Sequence, residues 1–392
     1  MSNRFIFPVL AITSLCAVAQ NPAAAPAKQQ PAPTAPAGAE KPAAPKLPEA
    51  FLKAKEAAEK GDMATAVKIL TAEAEKGNVE AMTAVAEFYV AGRGVEQSAE
   101  TGVKWLTKAA DAGHPPAQTT LAMLFFNGAQ GVKKDEERAR FLLQQAAEAG
   151  YAPAQFQSGA IAEAAVDTKV REPNWKDSRF WYEKAAAQGN PDALLAMVRY
   201  HDQGLGGPAD AAKATESCMA AAKAGNVVAM NEMGVRYQRG TGIRADNVAA
   251  IGWFTVATQY GLATAFINLG NCYETGNGVR QDFSRAGEYY AAAAKGGNPV
   301  AQMLIGRFFE EGMGTPVNLA YAYVNYTRAA AGGLQDATKK RDEIKAKLTP
   351  AQLKEAEDIL SGAAAKAAAT SGANPADTGK KTDPKKADPK KK

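Results

Sequence analysis

A short pattern recurs along this chain at an interval close to 36 residues. Each recurrence begins with a glycine that is followed four residues later by alanine, and successive glycines are separated by 36, 37, 39, 36, 36, 36 and 36 residues. The pairs are Gly77 and Ala81, Gly113 and Ala117, Gly150 and Ala154, Gly189 and Ala193, Gly225 and Ala229, Gly261 and Ala265, Gly297 and Ala301, and Gly333 and Ala337. A period of this size predicts a repeat protein whose units bury their apolar faces against one another.

The apolar residues of one repeat predict two helices, called A and B in chain order. The glycine that begins each repeat is its anchor glycine, and the offset of a residue is the number of positions by which it follows that glycine. On helix A, offsets 4, 8, 9 and 12 lie on one side, and they hold the constant alanine, a large aliphatic residue, a small residue and an aromatic residue. Helix B ends with a large pair followed by alanines, as in Trp105-Leu106 and Tyr289-Tyr290. Because no β-branched alternation interrupts this pattern, the sequence predicts an all-α fold of helix-turn-helix repeats.

Glycines also mark the predicted turns. At four anchors, glycine suits the left-handed end of one helix and the next residue, asparagine, suits the N-cap of helix A. These dipeptides are Gly77-Asn78, Gly189-Asn190, Gly225-Asn226 and Gly297-Asn298. A Gly-x-Gly turn recurs between helices A and B, but no strand precedes it, so it is interpreted as a turn and not as a phosphate loop. The repeat from Gly150 to Gln188 lacks these glycines, which predicts a longer turn over Asp167–Pro173.

The N-terminal residues 1–19 have the layout of a secretory signal peptide. Arg4 precedes an apolar run from Phe5 to Ala19, which ends in the small-x-small triplet Ala17-Val18-Ala19. Cleavage after Ala19 and a periplasmic or secreted location are therefore expected, with an uncleaved anchor as the alternative. No later segment approaches the length of a membrane span, so no transmembrane helix is expected after cleavage.

Composition divides the remainder into three parts. Residues 20–48 are rich in proline and alanine, and this composition predicts a disordered spacer. Residues 49–360 predict the repeat domain, with a capping hairpin that turns at Gly61-Asp62, seven repeats, and a last helix that begins at Thr349-Pro350. Residues 361–392 predict a disordered tail, whose last thirteen residues hold seven lysines and two aspartates. The whole chain has 46 Lys and Arg against 41 Asp and Glu, and the excess of basic residues equals the excess within this tail. Because the rest of the chain is therefore neutral, no nucleic-acid partner is expected.

The Gly-x-x-x-Ala start, turns such as Gly276-Asn277-Gly278-Val279, and the Trp/Tyr-x-x-x-Ala-Ala helix ends resemble the Sel-one-like repeat family, which is related to the tetratricopeptide repeat. This resemblance implies a right-handed α/α superhelical solenoid whose A helices line a concave groove. It also implies a scaffold for protein complexes, often in secreted or envelope proteins of bacteria. One branch of the family carries a disulfide in every repeat, whereas Cys218 and Cys272 are interpreted here as buried small residues.

Few residues are available for chemistry. The chain has two histidines and three cysteines, too few for a His-based triad or a zinc cluster. His201 stands at the aromatic offset 12, and His114 stands at an N-cap before Pro115. The sequence therefore predicts no catalytic residues, no cofactor and no metal, and the protein is not expected to be an enzyme.

The candidate partner-binding surface is the side of helix A opposite its packed side, at offsets 6, 10 and 13. Its polar residues in the central repeats are Arg199, Asp202, Asn231, Gln238, Asn271, Glu274, Arg307 and Glu310. An ordinary solvated helix face would explain them equally well.

The leading functional hypothesis is an exported, non-catalytic interaction scaffold that binds a protein or peptide. The alternative is a cell-wall-associated tethering protein or a regulator of an envelope enzyme, which would use the spacer and the basic tail on an anionic polymer or lipid.

Overall fold

The computed structural model describes residues 48–128, 131–164 and 174–362. The predicted signal peptide, most of the spacer, nearly all of the Lys-rich tail and the predicted Asp167–Pro173 turn lie outside these residues. Within them the regular elements are 18 α-helices, and no strand is present. The prediction of an all-α repeat fold of the solenoid class is confirmed.

The helices are numbered α1 to α18 in chain order. The first hairpin is α1 (Glu49–Glu59) and α2 (Met63–Glu75). The A helices are α3 (Val79–Ala91), α5 (Pro115–Asn127), α7 (Ala152–Ala164), α9 (Pro191–Gln203), α11 (Val227–Arg239), α13 (Ala263–Thr275), α15 (Pro299–Glu311) and α17 (Gln335–Lys345). The B helices are α4 (Ala99–Asp111), α6 (Glu136–Glu148), α8 (Trp175–Ala187), α10 (Ala211–Lys223), α12 (Asn247–Gln259), α14 (Phe283–Lys295) and α16 (Leu319–Ala331). The last helix is α18 (Pro350–Leu360).

These helices fall into two compact units. The first unit comprises the described residues up to Ala229 together with Thr241–Arg244. The second unit comprises Met230–Gly240 and the described residues from Ala245 onward. Within each unit, helix A packs on helix B of its own repeat, and helix B packs on helix A of the next repeat.

The constant alanine at offset 4 is the most consistently buried position in the fold. All eight of these alanines are 0% exposed. The large residue at offset 8 is buried with it, as Leu121 and Leu269 show at 1% exposure each. The aromatic residues at offset 12 are at most partly exposed, as the half-buried Tyr237 and Tyr273 illustrate. The predicted packed side of helix A is confirmed.

The small residue at offset 9 receives an aromatic ring from helix B. A Cβ atom built on the glycine at this offset would lie 2.4 to 2.7 Å from the nearest ring atom, closer than real Cβ contacts. The four glycine and ring pairs are Gly159 with Tyr182, Gly234 with Phe254, Gly270 with Tyr290, and Gly306 with Tyr326. Glycine is therefore needed for space at these helical positions, not for its backbone freedom.

The helix ends follow the predicted turn chemistry. The side chains of Asn78, Asn190, Asn226 and Asn298 each accept a hydrogen bond from the backbone N–H of the constant alanine, at 2.8 to 3.0 Å. The anchor glycines before them have φ between 77° and 97°. The B helices have side-chain N-caps of their own, such as Asp246 and Asp282, which the sequence reasoning missed.

Each Gly-x-Gly turn packs against the start of the preceding B helix, or of α2 for the first turn. A Cβ atom on Gly278 would lie 2.7 Å from backbone atoms of Asn247, and one on Gly314 would lie 2.6 Å from the carbonyl carbon of Phe283. The turn glycines therefore allow the backbone of one repeat to contact the helix of the repeat before it.

We expect Gly270→Ala to destabilise the protein. Overpacking against the buried Tyr290 ring costs about 1 to 3 kcal/mol, and the better helix propensity of alanine returns about 1 kcal/mol, so a net loss of about 1 kcal/mol is expected. The matched control is Gly252→Ala in α12, where an added Cβ meets no atom within 4 Å. This control should gain stability, and chemical denaturation of both variants measures the difference. Equal stability of the two variants would contradict the assigned ring slot.

Candidate functional site

The structure divides the eight candidate binding residues between the two units. Arg199 and Asp202 lie in the first unit, on α9, and both are exposed. The other six lie in the second unit, on α11, α13 and α15. Each unit is therefore considered by itself.

Glu274 is the centre of a polar cluster in the second unit. Its Oε2 accepts a hydrogen bond of 2.7 Å from the Tyr290 hydroxyl on α14, and its Oε1 accepts one of 2.6 Å from Arg307 Nη2 on α15. The Tyr290 hydroxyl also lies 2.5 Å from Asn271 Oδ1. Asn271 and Glu274 are thus joined through a tyrosine that the sequence reasoning had assigned only to the core, and Arg307 bonds Glu274 directly.

Glu310 repeats this arrangement one repeat later. Its Oε2 accepts a hydrogen bond of 2.6 Å from the Tyr326 hydroxyl on α16, and its Oε1 lies 3.6 Å from Lys340 Nζ on α17. As in the Glu274 cluster, one carboxylate connects the B helix of its own repeat to the A helix of the next repeat.

The first unit contains a third example around Glu163 of α7. This carboxylate forms an ion pair with Arg199 and accepts a hydrogen bond of 3.3 Å from the Tyr182 hydroxyl on α8. The Tyr200 hydroxyl lies 3.2 Å from the same oxygen. We call the three groups of glutamate, tyrosine and cation the inter-repeat clusters.

The tyrosines of the inter-repeat clusters stay protonated far above neutral pH. Burial, followed by the charge of Glu163, raises the pKa of Tyr182 well above its usual range. Burial and then the hydrogen bond to the carboxylate raise the pKa of Tyr290 and Tyr326 in the same direction. These hydroxyls therefore act as hydrogen-bond donors to the glutamates and not as proton-transfer groups.

Amide side chains make up the rest of the face in the second unit. Asn268 Nδ2 donates a hydrogen bond of 2.9 Å to Asn231 Oδ1, which joins α13 to α11. Gln238 Nε2 lies 3.8 Å from Cys272 Sγ. Each of these contacts uses part of the hydrogen-bonding capacity of an amide.

The same face presents exposed side chains at offset 3, which lies next to offset 10 on the helix. Val300 of α15 is 46% exposed, and Thr264 of α13 is also exposed. Asn271, at offset 10 of α13, is exposed as well, so the polar side of these two neighbouring A helices carries one apolar and two polar exposed side chains. We call Thr264, Asn271 and Val300 the exposed A-helix patch.

The histidines and cysteines have structural environments. His114 is the N-cap of α5, and its Nδ1 lies 3.0 Å from Thr83 Oγ1. Burial lowers the pKa of His201, and nearby Arg179 adds to that effect. Cys218 and Cys272 are buried thiols, as predicted, and Cys218 Sγ donates to the carbonyl oxygen of Ala229 at 3.4 Å. Among the described residues no group of three or more His, Cys, Asp or Glu side chains is placed to hold a metal ion.

Sequence reasoning missed Glu163, Lys340, Asn268 and the cluster tyrosines. A signal for the clusters is present in the repeats themselves, because glutamate at offset 13 of helix A always occurs with tyrosine at the buried aromatic position of helix B. In the repeat that has Gln238 instead of glutamate, the ring is that of Phe254.

In the first unit, Glu87 occupies offset 10 of α3 without a cluster of this kind. Burial raises the pKa of Glu87 to about 7, and the charge of Arg93 opposes this shift. In the folded state the carboxyl group therefore holds its proton at a pH where the unfolded chain has released it.

We expect Glu87 to make the first unit less stable as pH rises. Because the pKa in the folded state lies above the ordinary glutamate value of 4.5, the contribution of Glu87 to stability is fully present below pH 4.5 and is lost as pH rises through about 7. Glu87→Gln removes this dependence, so the variant should gain on the wild type by about 3 kcal/mol by pH 8. Urea unfolding between pH 4.5 and 8 measures the difference, and a constant difference would contradict the assignment.

No described helix has the length and apolar character that a membrane span requires.

A family model and two solved structures indicate the same protein family. The sequence matches the Sel1 repeat over residues 79–114, 115–151, 176–190, 193–216, 227–261, 263–298 and 299–334, which together cover more than half of the chain. No curated protein sequence matches the chain.

Two solved structures are similar over most of the chain. One is c5321, a protective antigen present in uropathogenic Escherichia coli strains that displays an SLR fold, with 29% identity, a TM-score of 0.65, and coverage of 86% of this chain and 73% of that chain. The other is a Sel1 repeat protein from Oxalobacter formigenes, with 27% identity, a TM-score of 0.58, and coverage of 75% of this chain and 86% of that chain. The matched segments contain the helical hairpins described above, and the chain therefore belongs to the Sel1 repeat family.

Proposed function

We propose that this protein is an exported, non-catalytic scaffold that binds a protein or peptide partner through the A-helix face of its second unit. Sel1 repeat proteins are typically non-catalytic scaffolds that bind protein partners. The observation that carries the proposal is the exposed A-helix patch, where an apolar side chain stands among polar ones on a surface built by two neighbouring repeats.

The chemistry of this patch suits a polypeptide partner. Val300 offers an apolar contact that a partner can desolvate, and Asn271 has an amide N–H₂ that can donate to a peptide carbonyl. Glu274 and Glu310 already receive hydrogen bonds from tyrosines and lie beside cations of the next repeat, so a partner does not need to neutralise them.

The hydrogen bonds and ion pairs of Glu274 and Glu310 also support a non-catalytic role. A general base or nucleophile must be within reach of a substrate and free to exchange a proton. In this unit the carboxylates of Glu274 and Glu310 are instead held by tyrosine donors and are mostly buried, at 16% and 15% side-chain exposure.

We expect Val300→Lys to weaken partner binding about tenfold, because it replaces the apolar side chain of the patch with a charged one. The matched control is Val248→Lys, which changes the same residue type at an exposed position, 68%, on helix α12. The partner is first recovered from an envelope extract with the wild-type chain, and its Kd for each purified variant is then measured by titration. Equal affinity of the two variants would exclude the patch as the binding surface.

A second control addresses the tethering alternative. The double variant Lys385→Glu and Lys386→Glu alters the tail alone, so loss of binding in this variant, with the Val300→Lys variant unaffected, would place the interaction on the tail. Arg307 and Glu310 are unsuitable for such tests because they also support the scaffold.

Export is proposed from the sequence of residues 1–19. We expect the mature chain to begin at Gln20 and to fractionate with periplasmic or secreted proteins, because Ala17-Val18-Ala19 fits a signal-peptidase site. Mass spectrometry of the protein purified from its native host measures the N-terminus. A chain that retains Met1–Ala19 and sediments with membranes would instead support an uncleaved anchor.

A further inference from the structure

The inter-repeat clusters all connect the same three kinds of helix. The glutamate lies at offset 13 of helix A, the tyrosine lies on helix B of the same repeat, and the cation lies on helix A of the next repeat. Each carboxylate therefore connects its own helix to two others at the junction between two repeats. The junctions are α7, α8 and α9 in the first unit, and α13, α14 and α15, then α15, α16 and α17, in the second.

The clusters are separate from the apolar packing beneath them. The rings of Tyr290 and Phe254 both pack against a glycine at offset 9, and both are 0% exposed. The slot for the ring therefore accepts tyrosine and phenylalanine equally. What distinguishes the two repeats is the hydroxyl of Tyr290 and the acceptor that it meets, since the residue at offset 13 is Glu274 in one repeat and Gln238 in the other.

Other junctions are built from apolar residues at the same two positions. The first full repeat has Val90 and Leu106 there, and the second has Phe126 and Leu143. Leu106 is 0% exposed and Leu143 is 2% exposed, so the B-helix side of these junctions is closed by apolar contact. The described chain thus contains junctions with an inter-repeat cluster and junctions without one.

We infer that the inter-repeat clusters are latches that control how readily neighbouring repeats separate. A hydrogen bond or ion pair to a mostly buried carboxylate is directional. When the next helix moves away, the carboxylate loses its cation and keeps only the tyrosine donor. Apolar contact is non-directional and tolerates small sliding movements. Junctions with a cluster therefore open less readily than junctions without one, and the A-helix face of α13, α15 and α17 is held at fixed helix spacing.

This inference gives a second role to five candidate binding residues, Arg199, Asn271, Glu274, Arg307 and Glu310. Each of them belongs to an inter-repeat cluster or contacts its tyrosine. They act as positioning residues for the face, and the inference holds whether or not a partner binds the exposed A-helix patch.

The test is native-state hydrogen exchange of the full chain with Tyr290→Phe. This variant removes one hydroxyl and leaves a ring that the equivalent slot already accepts as Phe254. We expect the slowest amides of α13, α14 and α15 to exchange about tenfold faster, since a hydrogen bond to a charged group is lost. The amides of α2 to α6 should be unchanged. The control is Tyr260→Phe, in which the hydroxyl removed belongs to a tyrosine that is 63% exposed.

A second variant separates a latch from general destabilisation. Tyr326→Phe should shift the faster exchange to α15, α16 and α17, whereas a global loss of stability would accelerate the same amides in both variants. The double variant Glu274→Gln with Tyr290→Phe reproduces the Gln238 and Phe254 combination, so its effect should be smaller than the product of the two single effects. Exchange in Tyr290→Phe equal to that in Tyr260→Phe, or single effects that multiply fully, would overturn the inference.

Discussion

The close contact between helices at the constant alanine is the constraint on which the rest of the structure depends. All eight of these alanines are fully buried, so a larger side chain would overpack the contact. In the four repeats that have glycine at offset 9, the aromatic ring of helix B packs against that glycine. Each repeat satisfies this constraint separately, as expected for a linear array in which units contact only their neighbours.

This packing also decides where polar chemistry can occur. Gly270 and Gly306 fix the positions of the Tyr290 and Tyr326 rings, and their hydroxyls then emerge beside offset 13 of helix A. A glutamate at that offset accepts a hydrogen bond from the tyrosine hydroxyl and forms an ion pair with a cation on the next A helix. The position of the buried tyrosines therefore explains why Glu274 and Glu310 are engaged within the scaffold, whereas Thr264, Asn271 and Val300 on the same face stay exposed.

The sequence was sufficient for the fold because the repeat places equivalent residues in register. The constant alanine, the asparagine N-caps and the left-handed glycines each have one local explanation, and each was found where the period placed it. The candidate site was harder to predict because its contacts join residues 16 to 37 positions apart. A helical wheel treats each helix alone, so it identified Glu274 and Arg307 as surface residues but gave no reason to connect them to each other or to Tyr290.

The turn glycines have a consequence for the order in which the chain can fold. Gly94, Gly278 and Gly314 each contact a residue 31 positions earlier, namely Met63, Asn247 and Phe283. The contacts of a turn thus reach back to a helix that has already been synthesised, and the sequence separation is short and constant. Such low contact order favours rapid folding. A nascent chain of this design can complete one hairpin after another in the direction of synthesis, and it never has to hold an apolar surface open for a distant segment that has yet to emerge.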